Sequence, residues 1–267
     1  MANSPTIDLD LDLASKVQRL LFPKSSPRCD WCCMGVKNRM ALGLGGDFFE
    51  FIPLPDGCQV VFLGDVTGHG LQASVVMSLL YGYLHRASTS GCSPQQTVAD
   101  ANAFLQFFAK RSRKFDHYFS ATLFYSVLDP ASMMMRYVNA GQVAPLVKRG
   151  AQIFALQSTA SPLGYFSEPE LEVATFQFEE GDRLLLYTDG LSDSHNSAGQ
   201  FFGTERIEQL LLNHPDPHLE FLDRLFAALG EFGAPDPPDD DCTAIVIDLH
   251  GRQLLTESSA PKPDSGR

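Results

Sequence analysis

Four aspartates stand at the borders of apolar runs: Asp47 in Gly45-Gly46-Asp47, Asp65 in Gly64-Asp65-Val66-Thr67-Gly68-His69-Gly70, Asp189 in Thr188-Asp189-Gly190, and Asp240 in Asp239-Asp240-Asp241-Cys242-Thr243. The runs at 60–63, 184–187 and 244–247 are apolar and read as buried strands, so sheet edges can bring all four carboxylates to one place. Like charges about 4 Å apart repel by roughly 4 kcal/mol at an effective dielectric of about 20, so such a cluster calls for cations. Ligation by oxygen alone selects hard divalent ions, magnesium or manganese. Taken singly, each residue has a plainer role: Asp47 a turn aspartate beside glycines, Asp65 a helix N-cap, Asp189 a turn residue, Asp240 a solvating charge where a strand begins. Asp241 is the neighbour most easily confused with Asp240.

The motifs also have an order. Gly-Gly-Asp-x-x-Glu is followed by Gly-Asp-Val-Thr-Gly-His-Gly, Asn139-Ala140-Gly141, Pro162-Leu163-Gly164, Thr-Asp-Gly-Leu and Asp-Asp-x-Thr, with the four aspartates 18, 124 and 51 residues apart. Over residues 12 to 250 this resembles the SpoIIE-type branch of the PPM metal-dependent protein serine/threonine phosphatases. The resemblance implies an α+β fold, an α-β-β-α sandwich of two packed, mainly antiparallel sheets flanked by helices. It implies two Mn²⁺ or Mg²⁺ ions, with Asp65 bridging them, the Val66 carbonyl adjacent, and Asp47, Asp189 and Asp240 completing the ligands directly or through water. The substrate class that the resemblance implies is phosphoserine or phosphothreonine in a protein, a STAS-type anti-sigma-factor antagonist in a bacterial partner-switching pathway.

Phosphoester hydrolysis by two metals needs no side-chain nucleophile, which suits a chain without a Gly-x-Ser-x-Gly elbow or a P-loop. Asp65 and Asp189 are then the catalytic carboxylates. His69 is the sole histidine inside a motif, and it is open to two roles: general acid to the leaving serine oxygen, or pairing with phosphate or an acidic residue. The family usually carries aspartate where this chain has Glu50, and histidine where it has Gln142. A catalytically degenerate module that binds a signalling partner is therefore the alternative to an enzyme. A nucleotide phosphodiesterase lacks any basic or aromatic cluster for the base. The segment 190–203 resembles the family's flap and reads as a mobile gating loop or, more plainly, a connection.

The positioning elements follow from periodicity and turn signals. The first eight residues read as frayed, then a helix over 9–22 carries Leu13, Val17, Leu20 and Leu21 and stops at Pro23. The resemblance makes this a linker to a sensory or switch module, a docking helix for a regulatory partner, or simply an edge-packing helix; a homodimer is left open. Pro55-Asp56-Gly57 predicts a hairpin turn between strands at 48–53 and 60–66. A helix over 70–86, apolar nearly all round, predicts burial. Ser93-Pro94-Gln95-Gln96 is a capping box opening a helix with the stripe Val98, Ala101, Leu105 and Phe108. Strands follow at 119–128, 134–139, 145–148, 152–156, 171–178 and 183–187, then helices at 203–213 and 218–232 and a closing strand at 243–249. Hairpin-joined strands interleaved with helix pairs describe α+β rather than parallel βαβ architecture.

Composition narrows the partners. The net charge of −12 argues against a nucleic-acid surface, and no apolar stretch has the length of a membrane span or a signal peptide, so a cytoplasmic protein is expected. Six cysteines in such a chain are expected to be reduced, because Cys29-Asp-Trp-Cys32-Cys33 supplies half of a zinc-site spacing and no second half exists. The expected organisation is a linker or regulatory segment at 1–24, a catalytic domain at 25–250 and a disordered tail at 251–267.

Overall fold

The computed structural model describes residues 5–23, 29–89, 93–111 and 119–251. The expected boundary at 24 and nearly all of the C-terminal tail lie outside them. Five strands form one sheet in the order β1 (Cys32–Arg39), β10 (Cys242–Leu249), β9 (Arg183–Tyr187), β6 (Leu146–Arg149) and β7 (Gln152–Ala155). The other sheet runs β2 (Asp47–Pro53), β3 (Gln59–Val66), β4 (Ala121–Asp129), β5 (Met134–Ala140) and β8 (Ala174–Gln177). Every strand pairing is antiparallel. α2 (Gly70–Ser88) and α3 (Pro94–Ala109) cover the second sheet, while α5 (Thr204–Asn213) and α6 (His218–Phe232) cover the first. This is the expected α-β-β-α sandwich.

The continuous apolar runs are explained by burial on both faces. Leu184, Leu186, Ile245 and Ile247 enter the core between the sheets, whereas their alternates Leu185, Tyr187, Ala244 and Val246 pack with Ile207, Phe221 and Leu225 under α5 and α6. At about 1.5–3 kcal/mol per fully buried large apolar side chain, these two strands anchor the layers on both sides. The sheet ends are thereby held rigidly, and all four aspartates sit at such ends.

Three helices differ from expectation in detail. α1 (Pro5–Leu21) begins before residue 9, so the frayed segment is shorter than predicted. Its apolar residues Leu13, Val17 and Leu20 are exposed, and the residue buried in their midst is polar, Gln18. α2 is not buried all round: Leu71, Val75 and Leu79 face outward beside α1, while Met77, Leu80 and Leu84 pack on the sheet. Ser93 caps α3 as expected, accepting from the Gln96 amide at 3.4 Å, but the Gln96 side chain bonds Asp100 at 2.7 Å instead of returning to the cap. The strand expected at 171–178 is regular over Ala174–Gln177 alone, with Leu171 held by an isolated bridge to Ala160. Cys29, Cys32, Cys33, Cys58 and Cys242 are unbridged. Among the described residues no helix is long and apolar enough to cross a membrane.

Candidate metal centre

Asp47 opens β2 and lies directly opposite Asp65 on β3. Asp189 follows β9 and opens the short helix α4 (Asp189–Ser192), while Asp240 precedes β10, the neighbour of β9. Two threonines join the sheets at this end. The Thr188 hydroxyl donates to Asp47 Oδ2 at 3.0 Å, and the Thr243 hydroxyl donates to the same oxygen at 2.5 Å. The Thr243 amide donates to Thr188 Oγ1 at 3.0 Å, locking the pair.

The loop before Asp47 approaches β3 so closely that a Cβ on Gly46 would lie 2.7 Å from both Asp65 Oδ1 and the Val66 carbonyl oxygen. Glycine is required there by contact. The Val66 carbonyl thus faces the loop beside Asp65, and the Val66 amide donates to the Gly46 carbonyl at 3.3 Å. Asp241 braces the same loop, accepting from Ala41 N–H at 2.9 Å and Gly46 N–H at 2.8 Å. This occupation distinguishes it from its neighbour: Asp241 is buried and structural, whereas Asp240 is exposed.

The electrostatics are those of a carboxylate cluster. Burial, then Asp65 and Asp241, hold the Asp47 carboxyl well above the usual range despite the two threonine hydroxyls. Burial, then Asp189, Asp240 and Asp241, push Asp65 up to about 8. Asp189 is raised by partial desolvation of its carboxyl and by Asp240, and Asp240, although its side chain reaches solvent, is raised chiefly by partial desolvation. Asp47 Oδ1 is buried and has no hydrogen-bond partner. A bare carboxylate oxygen in a dry site costs several kcal/mol unless something positive meets it. Among the described residues no three His, Cys, Asp or Glu side chains are gathered tightly enough to form a finished cage, and the aspartates act on one another at longer range. The donor set, hard oxygens around one orphaned acceptor, fits a divalent cation of the magnesium or manganese type.

His69 is the exposed N-cap residue of α2, makes no side-chain cap bond, and favours the charged forms of Asp240 and Asp241. Glu50 points away from the aspartates: it accepts from the Tyr81 hydroxyl and lies 3.4 Å from His85 Nδ1, both on α2. Gln142 is buried, accepts from Thr122, the residue opposite Asp65 on β4, and donates to the Tyr187 carbonyl at 3.3 Å. Residues 190–203 are folded rather than open, with Phe202 N–H donating to Ser194 O at 2.8 Å, Gly203 N–H to Ser192 O at 2.8 Å, and His195 facing Asp239 at 3.6 Å.

Sequence reasoning missed Gln18. Its side-chain amide donates to the Gly45 carbonyl at 2.8 Å and accepts from the Gly45 amide at 3.2 Å, tying α1 to the loop that carries Asp47. The Ser15 hydroxyl adds a bond to the Gly43 carbonyl at 2.6 Å. In the sequence Gln18 stands among Lys16, Val17 and Arg19 and carries no local signal of this contact. Thr188 and Thr243 lay inside motifs already noted, but as markers rather than as partners of Asp47.

Comparison with known proteins gives one consistent result. A family model described as Stage II sporulation protein E (SpoIIE) matches residues 55–250. The chain is 28% identical over 241 residues to the phosphoserine phosphatase RsbP of Bacillus subtilis (strain 168), covering 89% of this chain and 57% of that protein. It is 20% identical over 210 residues to the phosphoserine phosphatase RsbU of the same organism, covering 78% of this chain and 60% of RsbU. This chain therefore spans less than two thirds of the length of either relative. Among solved structures, the SiaA-PP2C domain of Pseudomonas aeruginosa superposes with a TM-score of 0.80 at 18% identity, covering 91% of this chain and 97% of that one. RsbX in complex with magnesium gives 0.63 at 16% identity, covering 84% and 98%.

Proposed function

The chain belongs to the SpoIIE family within the PPM phosphatases, and from that premise we propose that it is a cytoplasmic, metal-dependent phosphatase acting on phosphoserine or phosphothreonine in a protein. The observation that carries the metal reading is the buried, unpartnered Asp47 Oδ1 beside three more aspartates raised by burial and by one another. Asp47, Asp65, Asp189 and Asp240, with the Val66 carbonyl, hold Mn²⁺ or Mg²⁺, two ions by analogy with the family. When bound, such ions activate water as a nucleophile and neutralise phosphoryl charge. RsbX, a structural neighbour, is known with magnesium.

The protein's own residues do the rest. Thr188 and Thr243 fix the Asp47 carboxylate, so that only Oδ1 is free to ligate. Asp241 and Gln18 hold the glycine loop against β3 and keep Asp47 opposite Asp65. His69 stands exposed beside Asp240, where it can meet the leaving seryl oxygen or the phosphate. Two relatives bear the name phosphoserine phosphatase, which supports phosphoserine as the substrate group; a STAS-type anti-sigma-factor antagonist in a partner-switching pathway is the carrier that the family resemblance implies. The outward apolar residues of α1 and α2 form the face for a regulatory partner, with a homodimer as its alternative occupant.

Glu50, bonded to Tyr81, and Gln142, bonded to Thr122 opposite Asp65 and to the Tyr187 carbonyl, are both satisfied by neighbours in the fold, so the two departures that motivated a non-catalytic alternative do not favour it. The deciding experiment is hydrolysis of an aryl phosphate with Mn²⁺, with Mg²⁺ and with a chelator. Turnover only with metal is expected; its absence under all three conditions leaves a binding module.

A further inference from the structure

An open-sided cavity of about 480 Å³ lies where the end of α1, the end of β1 and the segment leading to Asp239 meet. Arg19 and Arg39 line it against one acidic residue, Asp236, with Pro237 and Pro238 alongside. Both arginines are exposed, and among the described residues neither makes a salt bridge. Three other arginines are neutralised by carboxylates, Arg149 by Glu179 and Asp182, Arg183 by Asp248 and Arg224 by Asp216, whereas Arg206 donates to backbone carbonyls alone. In a chain with a net charge of −12, two uncommitted guanidiniums in one cavity need a reason.

Position supplies it. Asn38, also in the wall, donates to Thr243 Oγ1 at 2.6 Å, and that hydroxyl donates to Asp47. Residues 236–238 run directly into Asp239 and Asp240. The Arg39 guanidinium rests over the Phe226 ring, 5.3 Å from its centroid, which limits its freedom before any ligand arrives. The cavity is thus a cationic annex two hydrogen bonds from the carboxylate cluster.

We propose that this cavity is a specificity subsite for an aspartate or glutamate side chain flanking the phosphorylated residue of the protein substrate. The inference rests on the phosphatase reading and adds a sequence preference to it. Two guanidiniums less one carboxylate leave a single positive charge, the complement of one carboxylate, and the guanidinium fork matches carboxylate geometry. Because the rest of the protein repels acidic chains, a local cationic pocket also fixes the register in which such a substrate docks.

The test uses two phosphoserine peptides that differ only in glutamate or glutamine beside the phosphoserine. In Mn²⁺, the wild-type protein is expected to favour the acidic peptide by about tenfold in kcat/KM, carried by KM, equivalent to about 1.4 kcal/mol. The double variant R19E/R39E is expected to abolish or invert that ratio, and R19K/R39K to retain part of it. Fluorescence polarisation of the same peptides, labelled, reads the preference without turnover. A protein that hydrolyses neither peptide yet binds the acidic one more tightly supports the subsite and removes the phosphatase reading. Equal binding of the two peptides by wild type, or an acidic preference unchanged in R19E/R39E, overturns the subsite whatever the turnover.

Discussion

Asp65, half-buried on β3, faces Asp189, Asp240 and Asp241, and its surroundings make two outcomes separable. Asp65→Asn and Asp189→Asn each remove a ligand and one repelling charge, so both are expected to cut metal-dependent hydrolysis by at least a hundredfold while the protein stays folded by circular dichroism. Activity within tenfold of wild type in either variant would falsify the ligand assignment. Stability without metal gives the second outcome. The folded-state pKa of Asp65, about 8, lies above its ordinary value of 3.8, so folding favours the protonated carboxyl. That contribution is complete below about pH 4 and is lost as pH rises toward 8, and Asp47, Asp189 and Asp240 shift in the same direction. Chelator-treated protein should therefore melt lower at pH 8 than at pH 5, with a smaller drop in Asp65→Asn. An equal drop in both proteins places the pH dependence elsewhere.

At the scale of elements, α1 matters through one polar contact rather than through its apolar stripe. Gln18 exchanges two hydrogen bonds with Gly45, two residues before Asp47, while Leu13, Val17 and Leu20 face outward. Gln18→Ala is expected to lower kcat for aryl phosphate several-fold and to cost about 1–3 kcal/mol of stability, the range for buried polar groups left unpaired. If kcat does not move while the melting temperature falls, Gln18 holds α1 and not the metal loop. The elements themselves were largely legible, because strand runs, the Pro-Asp-Gly turn and the Ser93-Pro94 cap are local signals that tertiary packing reinforced. What periodicity could not supply was the choice of face. The stripe on α1 marks a helix without saying which residues meet the core, and the chain packs Leu21 on the core and buries Gln18 while leaving Leu13, Val17 and Leu20 exposed.

For the whole molecule, two sheets built from distant parts of the chain converge their ends on one cluster, and only the folded state presents it. The four aspartates were legible because each borders a strand end and the motifs stand in order. The hydroxyls that clamp Asp47 and the brace at Asp241 were not, because they depend on cross-sheet distances no spacing encodes. Convergence makes metal binding a folding equilibrium. An ion that binds the native state alone stabilises it by RT ln(1 + [L]/Kd), about 2.7 kcal/mol at a hundredfold excess over Kd, or roughly 2–4 °C in Tm for a domain of this size, and more if two ions bind. Mn²⁺ and Mg²⁺ should both raise the Tm of chelator-treated protein, and the rise should shrink in Asp47→Asn, which weakens the oxygen left bare by the threonines. Calcium offered to the same oxygens, with its looser coordination, should support little hydrolysis. A Tm indifferent to saturating Mn²⁺ and Mg²⁺ means that the repulsion among these carboxylates is relieved by protonation alone, and the metal-dependent reading fails at its root.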